Sequence, residues 1–115
     1  MSITMYGIPN CDSVKKAKLW LAENEVEYEF YDYKKLGADK ATLKAWCKAV
    51  GWDTLINRRG TSWRKLSESE QSDLTETRAI SLMIANPSLI KRPVITVEDT
   101  VLVGFDEEAF NSHLL

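Results

Sequence analysis

The chain of 115 residues is poor in the side chains that build metal sites and disulfide scaffolds. It has one histidine, His113, and two cysteines, Cys11 and Cys47, that stand far apart. Because zinc sites need several Cys or His ligands, the sequence predicts no dedicated metal site. Two cysteines are also too few for a secreted disulfide framework, so we expect a protein of the reducing cytoplasm.

An excess of one charge and long apolar runs are lacking as well. The net charge is −2, so no basic excess indicates a nucleic-acid or membrane-surface partner. The first residues show no charged segment followed by an apolar one, and no run is long enough to span a bilayer. We therefore expect one globular domain over residues 1–115, a monomer without nucleic-acid or membrane partners.

The first third of the chain predicts a strand, a helix and a second strand. A short apolar run at residues 3–6 ends in a Gly-Ile-Pro-Asn turn, which indicates a strand. Apolar residues then recur at helical spacing, and Asn10 is the expected N-cap. Residues 26–33 alternate and are rich in aromatics, which predicts a second strand, followed by a loop at 34–37.

The remainder predicts helices and then a hairpin. From about residue 39 to residue 86 the patterns are helical. Two β-branched runs, at 93–97 and 101–103, predict a β-hairpin before a last helix. This element order predicts the α/β class, with a thioredoxin-like mixed four-stranded sheet and an inserted all-helical segment at about 39–86.

Cys11 follows the first strand and opens the first predicted helix. A thiol is a nucleophile only as the thiolate, and a free cysteine has a pKa of about 8.5. Unpaired N–H groups and the helix dipole stabilise the anion at a helix N-terminus, so this placement predicts a redox-active thiol. Lys15, one turn later, is expected to add positive charge. The alternative interpretation of Cys11 is a buried structural cysteine.

The site has no second cysteine in a Cys-x-x-Cys spacing. Val14 stands three residues after Cys11, which excludes an internal disulfide of the thioredoxin type. A second thiol must then complete the reaction, either from glutathione or a partner protein, or from Cys47 if that residue lies close. Cys47 itself is expected to be a packed core thiol.

Arg92 and Pro93 form a second candidate group. Proline removes a donor from a sheet ladder, so a proline that enters a strand needs a reason. In a thioredoxin-like fold a cis-proline here shapes the backbone beside the reactive cysteine, and Arg92 then points at a thiolate or an oxyanion. A surface arginine and an ordinary edge proline are the alternative.

Arg58 and Arg59 lie in a loop that contains glycine. Two adjacent arginines suit an anion such as a carboxylate, a phosphate or an arsenate. Because solvated loop arginines are common, a purely surface role is the alternative interpretation.

Three segments of the chain resemble the arsenate reductase-related (ArsC) family. They read YGIPNCD at 6–12, NRRGT at 57–61 and NPSLIKRPV at 86–94. The resemblance extends over essentially the whole chain and is nearest to the YffB-like branch, which is related to the Spx-type transcriptional regulators. It implies a thioredoxin-like fold with a helical insert, a catalytic Cys11 and an anion-binding Arg92.

In the arsenate reductases of this family three arginines surround the cysteine. Arg92 matches one and Arg58 or Arg59 another, but no arginine stands near residues 103–105, where the third would fall. The YffB-like branch implies an oxidoreductase, a glutathione-dependent thiol–disulfide reductase that forms a mixed disulfide through Cys11. It implies glutathione or a protein thiol as partner and no bound cofactor. A glutaredoxin-coupled arsenate reductase and a non-catalytic, Spx-like partner-binding regulator are the alternatives.

Overall fold

Two compact units make up the chain, and the computed structural model describes residues 2–115. The sheet unit consists of the chain up to Leu36 together with Arg92–Leu115. The helical unit consists of Gly37–Lys91, which has no strand among the described residues beyond an isolated bridge. The single domain over residues 1–115 stays a prediction.

The strands and the longer helices follow the order that the sequence predicts. The sheet unit contains β1 (Ile3–Gly7), α1 (Asp12–Glu23), β2 (Glu29–Asp32), α2 (Tyr33–Leu36), β3 (Val94–Val97), β4 (Thr100–Val103) and α8 (Glu107–Leu114). The helical unit contains α3 (Lys40–Val50), α4 (Trp52–Leu55), α5 (Thr61–Arg64), α6 (Glu68–Gln71), α7 (Glu76–Ala85) and a 3₁₀ turn at Pro87–Leu89. None of the helices between residues 2 and 115 is long and apolar enough to cross a membrane.

The four strands form one mixed sheet in the order β2-β1-β3-β4. β1 runs parallel to β2, with Gly7 opposite Asp32, and antiparallel to β3, with Tyr6 opposite Val94. β3 and β4 form the antiparallel hairpin. The carboxyl ends of β1 and β2 therefore meet the amino end of β3 at one end of the sheet. This topology confirms the predicted thioredoxin-like α/β fold class.

Apolar side chains of the sheet and of α1 and α8 form the core of the sheet unit. Trp20 of α1 meets Phe110 of α8 edge to face, with ring centroids 5.2 Å apart. Helical spacing on α1 and alternation on the strands place these residues on one side of each element. The buried members of this core are Ile3, Met5, Val14, Ala17, Trp20, Leu21, Ile95, Val97, Leu102, Phe110 and Leu114.

β2 is shorter than the strand that the sequence predicts at 26–33. The Oδ1 atom of Asp32 accepts hydrogen bonds from the backbone N–H groups of Lys34 (3.1 Å) and Lys35 (3.2 Å). This carboxylate starts the helical turn α2 where the sequence predicts a strand end and a loop. The prediction of a strand through Tyr33 is therefore wrong, and Tyr33 lies fully buried in α2.

Local capping defines the helices of the helical unit. Asp39 accepts a hydrogen bond from the N–H of Thr42 at 2.7 Å and begins α3. Gly51 ends α3 with a φ of 90°, which glycine adopts at little cost. Ser67 and Glu70 form a capping box at the start of α6.

Gly7 lets the first turn of α1 approach β1 closely. A Cβ atom at this position would lie 2.8 Å from Cγ2 of Val14, which is fully buried. We expect Gly7→Ala to lower the free energy of unfolding by about 1–3 kcal/mol, because Val14 must shift within a packed core. Urea unfolding measures the change. In a Val14→Ala background the clashing methyl is gone, so most of the cost should disappear; an unchanged cost there would contradict this explanation.

Candidate active site

Cys11, Tyr33 and Arg92 meet at one end of the sheet unit. Cys11 follows β1, Tyr33 directly follows β2, and Arg92 stands two residues before β3. β1 is parallel to β2 and antiparallel to β3, so the ends from which these residues emerge are neighbours. Of the residues singled out in the sequence, the structure places Cys11, Arg92 and Pro93 together here.

Cys11 is itself the N-cap of α1, with extended backbone angles of φ −121° and ψ 129°. The expectation that Asn10 caps this helix is wrong. The backbone N–H of Lys15 donates to the Cys11 carbonyl at 2.9 Å, so the first helical hydrogen bond starts one residue later than predicted. Asn10 and the Lys15 side chain are exposed, and their supporting roles stay predictions.

The Cys11 thiol is biased toward its ionised form. Burial raises its pKa, but hydrogen bonding to the backbone N–H of Val14, to the Arg92 guanidinium and to the N–H of Ser13 lowers it, as does the charge of Arg92. The net result is a pKa below the ordinary value of a cysteine.

Arg92 is half-buried between Cys11 and Tyr33. Burial lowers the pKa of its guanidinium, but hydrogen bonds to Cys11 and Tyr33 and the charge of these groups raise it above its usual value. The Arg92–Pro93 peptide bond is cis, as the sequence analysis expects. The carbonyl of Pro93 accepts a hydrogen bond from the Gly104 N–H at 2.8 Å, which ties the start of β3 to the end of β4.

Tyr33 is a residue of this site that was not predicted from the sequence. Its side chain is completely buried, and burial raises the pKa of its phenol above the ordinary value. A signal was present, because Tyr33 ends an aromatic run whose strand was predicted to lie beside the one that leads to Cys11. Alternation alone did not show that this tyrosine turns inward.

Arg58 and Arg59 lie in the helical unit, and both are exposed. The Arg58 guanidinium lies 5.7 Å from the ring centroids of both Trp52 and Trp63, a double cation–π contact. The backbone N–H of Arg59 donates to Oδ1 of Asn57 at 3.1 Å, which shapes the loop. Anion binding by either arginine stays a prediction.

Cys47 is a buried thiol of α3 in the helical unit. Burial, and then the negative charge of Glu76, raises its pKa above the ordinary value. This matches the packed core thiol expected from the sequence. Among residues 2–115, no group of three or more His, Cys, Asp or Glu side chains is placed to hold a metal ion.

The mixed sheet, the cis-proline before β3 and the cysteine at the N-terminus of α1 define a protein with a thioredoxin-like fold. The model of the ArsC family matches residues 6–112, and the chain belongs to the ArsC family. The resemblance found in the sequence is therefore confirmed.

Known proteins of this kind resemble the chain over nearly its full length. The structure of a YffB protein is 47% identical, covers 99% of this chain and 100% of its own, and has a TM-score of 0.96. An arsenate reductase (ArsC) related protein from Brucella melitensis is 44% identical, covers 98% and 94%, and has a TM-score of 0.79. The global transcriptional regulator Spx of Streptococcus pyogenes is 27% identical over 97% of this chain and 84% of its own.

Proposed function

We propose that this protein is a thiol oxidoreductase that reduces disulfides through Cys11, with glutathione as its co-substrate. One observation carries the proposal: the Cys11 thiol, at the N-terminus of α1 and hydrogen-bonded to Arg92, has a pKa below its ordinary value. Membership of the ArsC family supports an oxidoreductase. The position three residues after Cys11 holds Val14, so the second thiol comes from outside this motif.

The proposed reaction has two exchange steps. The Cys11 thiolate attacks the glutathionyl sulfur of a mixed disulfide, forming a Cys11–glutathione disulfide and releasing the substrate thiolate, which takes a proton from water. A glutathione thiolate then attacks the glutathionyl sulfur on Cys11, forming oxidised glutathione and regenerating the Cys11 thiolate. In total, one mixed disulfide and one glutathione give one substrate thiol and one molecule of oxidised glutathione.

Arg92 has two tasks in this scheme. Its guanidinium stabilises the attacking thiolate in the first step and the departing Cys11 thiolate in the second. Pro93 is buried and its carbonyl accepts from the Gly104 N–H, so its proposed role is to shape the neighbouring backbone where a substrate docks. The hydrogen bond between Arg92 and Cys11 supports the first role, and the proposed scheme uses no bound cofactor.

Oxidised glutathione is expected to modify Cys11 and to leave Cys47 free. Cys11 is partly exposed with a lowered pKa, whereas Cys47 is buried with a raised one, so Cys11 is expected to be the more reactive thiol. Mass spectrometry of peptides after incubation identifies the modified residue, and the Cys11→Ser variant is the control. An adduct confined to Cys47, or none on folded wild-type protein, would overturn the proposal.

Two other functions are tested by the same variants. The ArsC-related neighbour motivates arsenate reduction, and turnover of arsenate with glutathione and glutaredoxin above the Cys11→Ser background would favour it. No arginine stands beside Gly104 in the sequence, so this chain has one positive charge fewer than the three-arginine pattern of the arsenate reductases. The similarity to Spx is the reason to consider a regulatory function. A stable complex with RNA polymerase that also forms with the Cys11→Ser variant would favour that function.

A further inference from the structure

The Arg92 guanidinium makes hydrogen bonds to two side chains, the Cys11 thiol and the Tyr33 hydroxyl. We propose that Tyr33 is a positioning residue that holds the Arg92 guanidinium beside Cys11. Its catalytic consequence rests on the proposed function of Cys11. The placement itself is a property of the folded protein and can be tested without turnover.

The register of the sheet places these three residues together. Gly7, at the end of β1, lies opposite Asp32, the residue before Tyr33. Tyr6 lies opposite Val94, two residues after Arg92. The chain therefore delivers the thiol, the phenol and the guanidinium from three adjacent strands to the same end of the sheet.

Burial makes Tyr33 a rigid anchor. Its side chain is 0% exposed, and Asp32 fixes the helical turn that directs it inward. A buried hydroxyl needs a hydrogen-bond partner, and no buried side-chain nitrogen or oxygen between residues 2 and 115 lacks one. Arginine has several rotatable bonds, so a second fixed contact reduces the orientations that its guanidinium can adopt.

Tyr33 acts through orientation and not through charge. Burial raises its pKa, so the phenol stays neutral over the range in which Cys11 titrates. A neutral phenol oxygen accepts from the guanidinium without placing a negative charge that competes with the thiolate. Removing the hydroxyl therefore leaves the charge of the site unchanged and frees the arginine to turn away.

Tyr33→Phe is expected to raise the pKa of Cys11 by about 0.5–1 unit, part of the effect of a nearby opposite charge. At a pH below the pKa, a rise of one full pKa unit should lower the alkylation rate roughly threefold. The loss is less than about tenfold because a thiolate of higher pKa is more nucleophilic. The rate of Cys11 alkylation by iodoacetamide is measured against pH. Tyr28→Phe is the matched control, a half-buried tyrosine directly before β2 and so five residues from Tyr33, which should leave the pKa of Cys11 unchanged.

A double-mutant cycle separates positioning from a general structural effect. In an Arg92→Gln background, Tyr33→Phe should change the pKa of Cys11 no further, since the group it positions is gone. An equal rise in both backgrounds would overturn the proposal, as would no rise in a folded Tyr33→Phe protein. Alkylation needs no enzymatic activity, so this outcome is independent of whether Cys11 proves to transfer thiols.

A second measurement uses the wild-type protein and does not depend on the folding of a variant. Nitrogen-15 relaxation of the Arg92 Nε–H should show an order parameter of about 0.85, the value typical of a rigid backbone. The exposed Arg64 serves as the mobile reference within the same sample. An Arg92 side chain as mobile as that of Arg64 would contradict a positioning role for Tyr33.

Discussion

Replacing Cys11 with serine should lower thiol-transfer activity by roughly a thousandfold or more. A serine hydroxyl stays protonated near neutral pH and forms no disulfide. The first exchange step therefore loses its nucleophile, and the second loses its leaving group. The rate of deglutathionylation of a small mixed disulfide, with glutathione in excess, measures the loss. The substitution is nearly isosteric at a partly exposed position, so the variant should remain folded and lose only the stability that the thiolate contributes, which urea unfolding checks.

Cys47→Ser is the matched control for this loss. Cys47 is buried with a raised pKa, so its removal should leave the rate of thiol transfer close to that of the wild type. Retention of most activity in Cys11→Ser, or a comparable loss in Cys47→Ser, would show that Cys11 is not the nucleophile.

Replacing Arg92 with glutamine is expected to raise the pKa of Cys11 by about 1–2 units, because the thiolate loses a positive charge and a hydrogen bond. In the wild type the lowered pKa of Cys11 supplies thiolate at lower pH. In the variant, the limb of the pH–rate profile that reports thiolate formation should therefore move to higher pH. At pH 6 the rate should fall about 3–10-fold, while near pH 10 it should approach that of the wild type. Alkylation and thiol transfer, both measured against pH, should show the same shift.

Two further variants serve as controls for the Arg92→Gln result. Arg92→Lys keeps the charge but loses the planar group that contacts two partners, so its shift should be intermediate. Arg64→Gln removes an exposed arginine of the helical unit and should shift nothing. A loss of activity for Arg92→Gln that is equal at every pH, with the pKa of Cys11 unmoved, would assign Arg92 to substrate binding alone.

The sequence predicts the placement of Cys11 because the signals there are local. An apolar run, a turn with glycine and proline, and apolar residues at helical spacing fall in order, and each restricts the backbone by itself. The exact cap is less predictable, because whether Asn10 or Cys11 begins α1 depends on which carbonyl accepts the first helical hydrogen bond. That choice shifts with small changes in the turn.

Tyr33 illustrates what sequence patterns leave open. Alternation continues through Tyr33, yet Asp32 accepts from two N–H groups and turns the chain at that point. The contact between Tyr33 and Arg92 joins two segments far apart in the chain, and only the pairing of three strands brings them together. A single sequence carries no direct signal for such a contact.

The tryptophans beside Arg58 show the same limit within the helical unit. The sequence marks Arg58 and Arg59 equally as anion-binding candidates. In the structure the Arg58 guanidinium lies against two indole rings, so its charge is engaged within the unit, while no such stacking is seen for Arg59 among the described contacts.

The hydrogen bond between Arg92 and Cys11 also links redox state to stability. Because the folded protein lowers the pKa of Cys11, this residue contributes stability above the unfolded-state pKa of about 8.5, and the contribution fades as the pH falls through the folded value. Any disulfide formed on Cys11 removes the same anion. The free thiolate is therefore the favoured form, and a modified Cys11 is a good leaving group when a second thiol attacks the outer sulfur. A protein that carries a disulfide on Cys11 should be less stable than the free thiolate form and short-lived when a second thiol is present. The proposed function therefore predicts that Cys11 transfers its modification and does not store it.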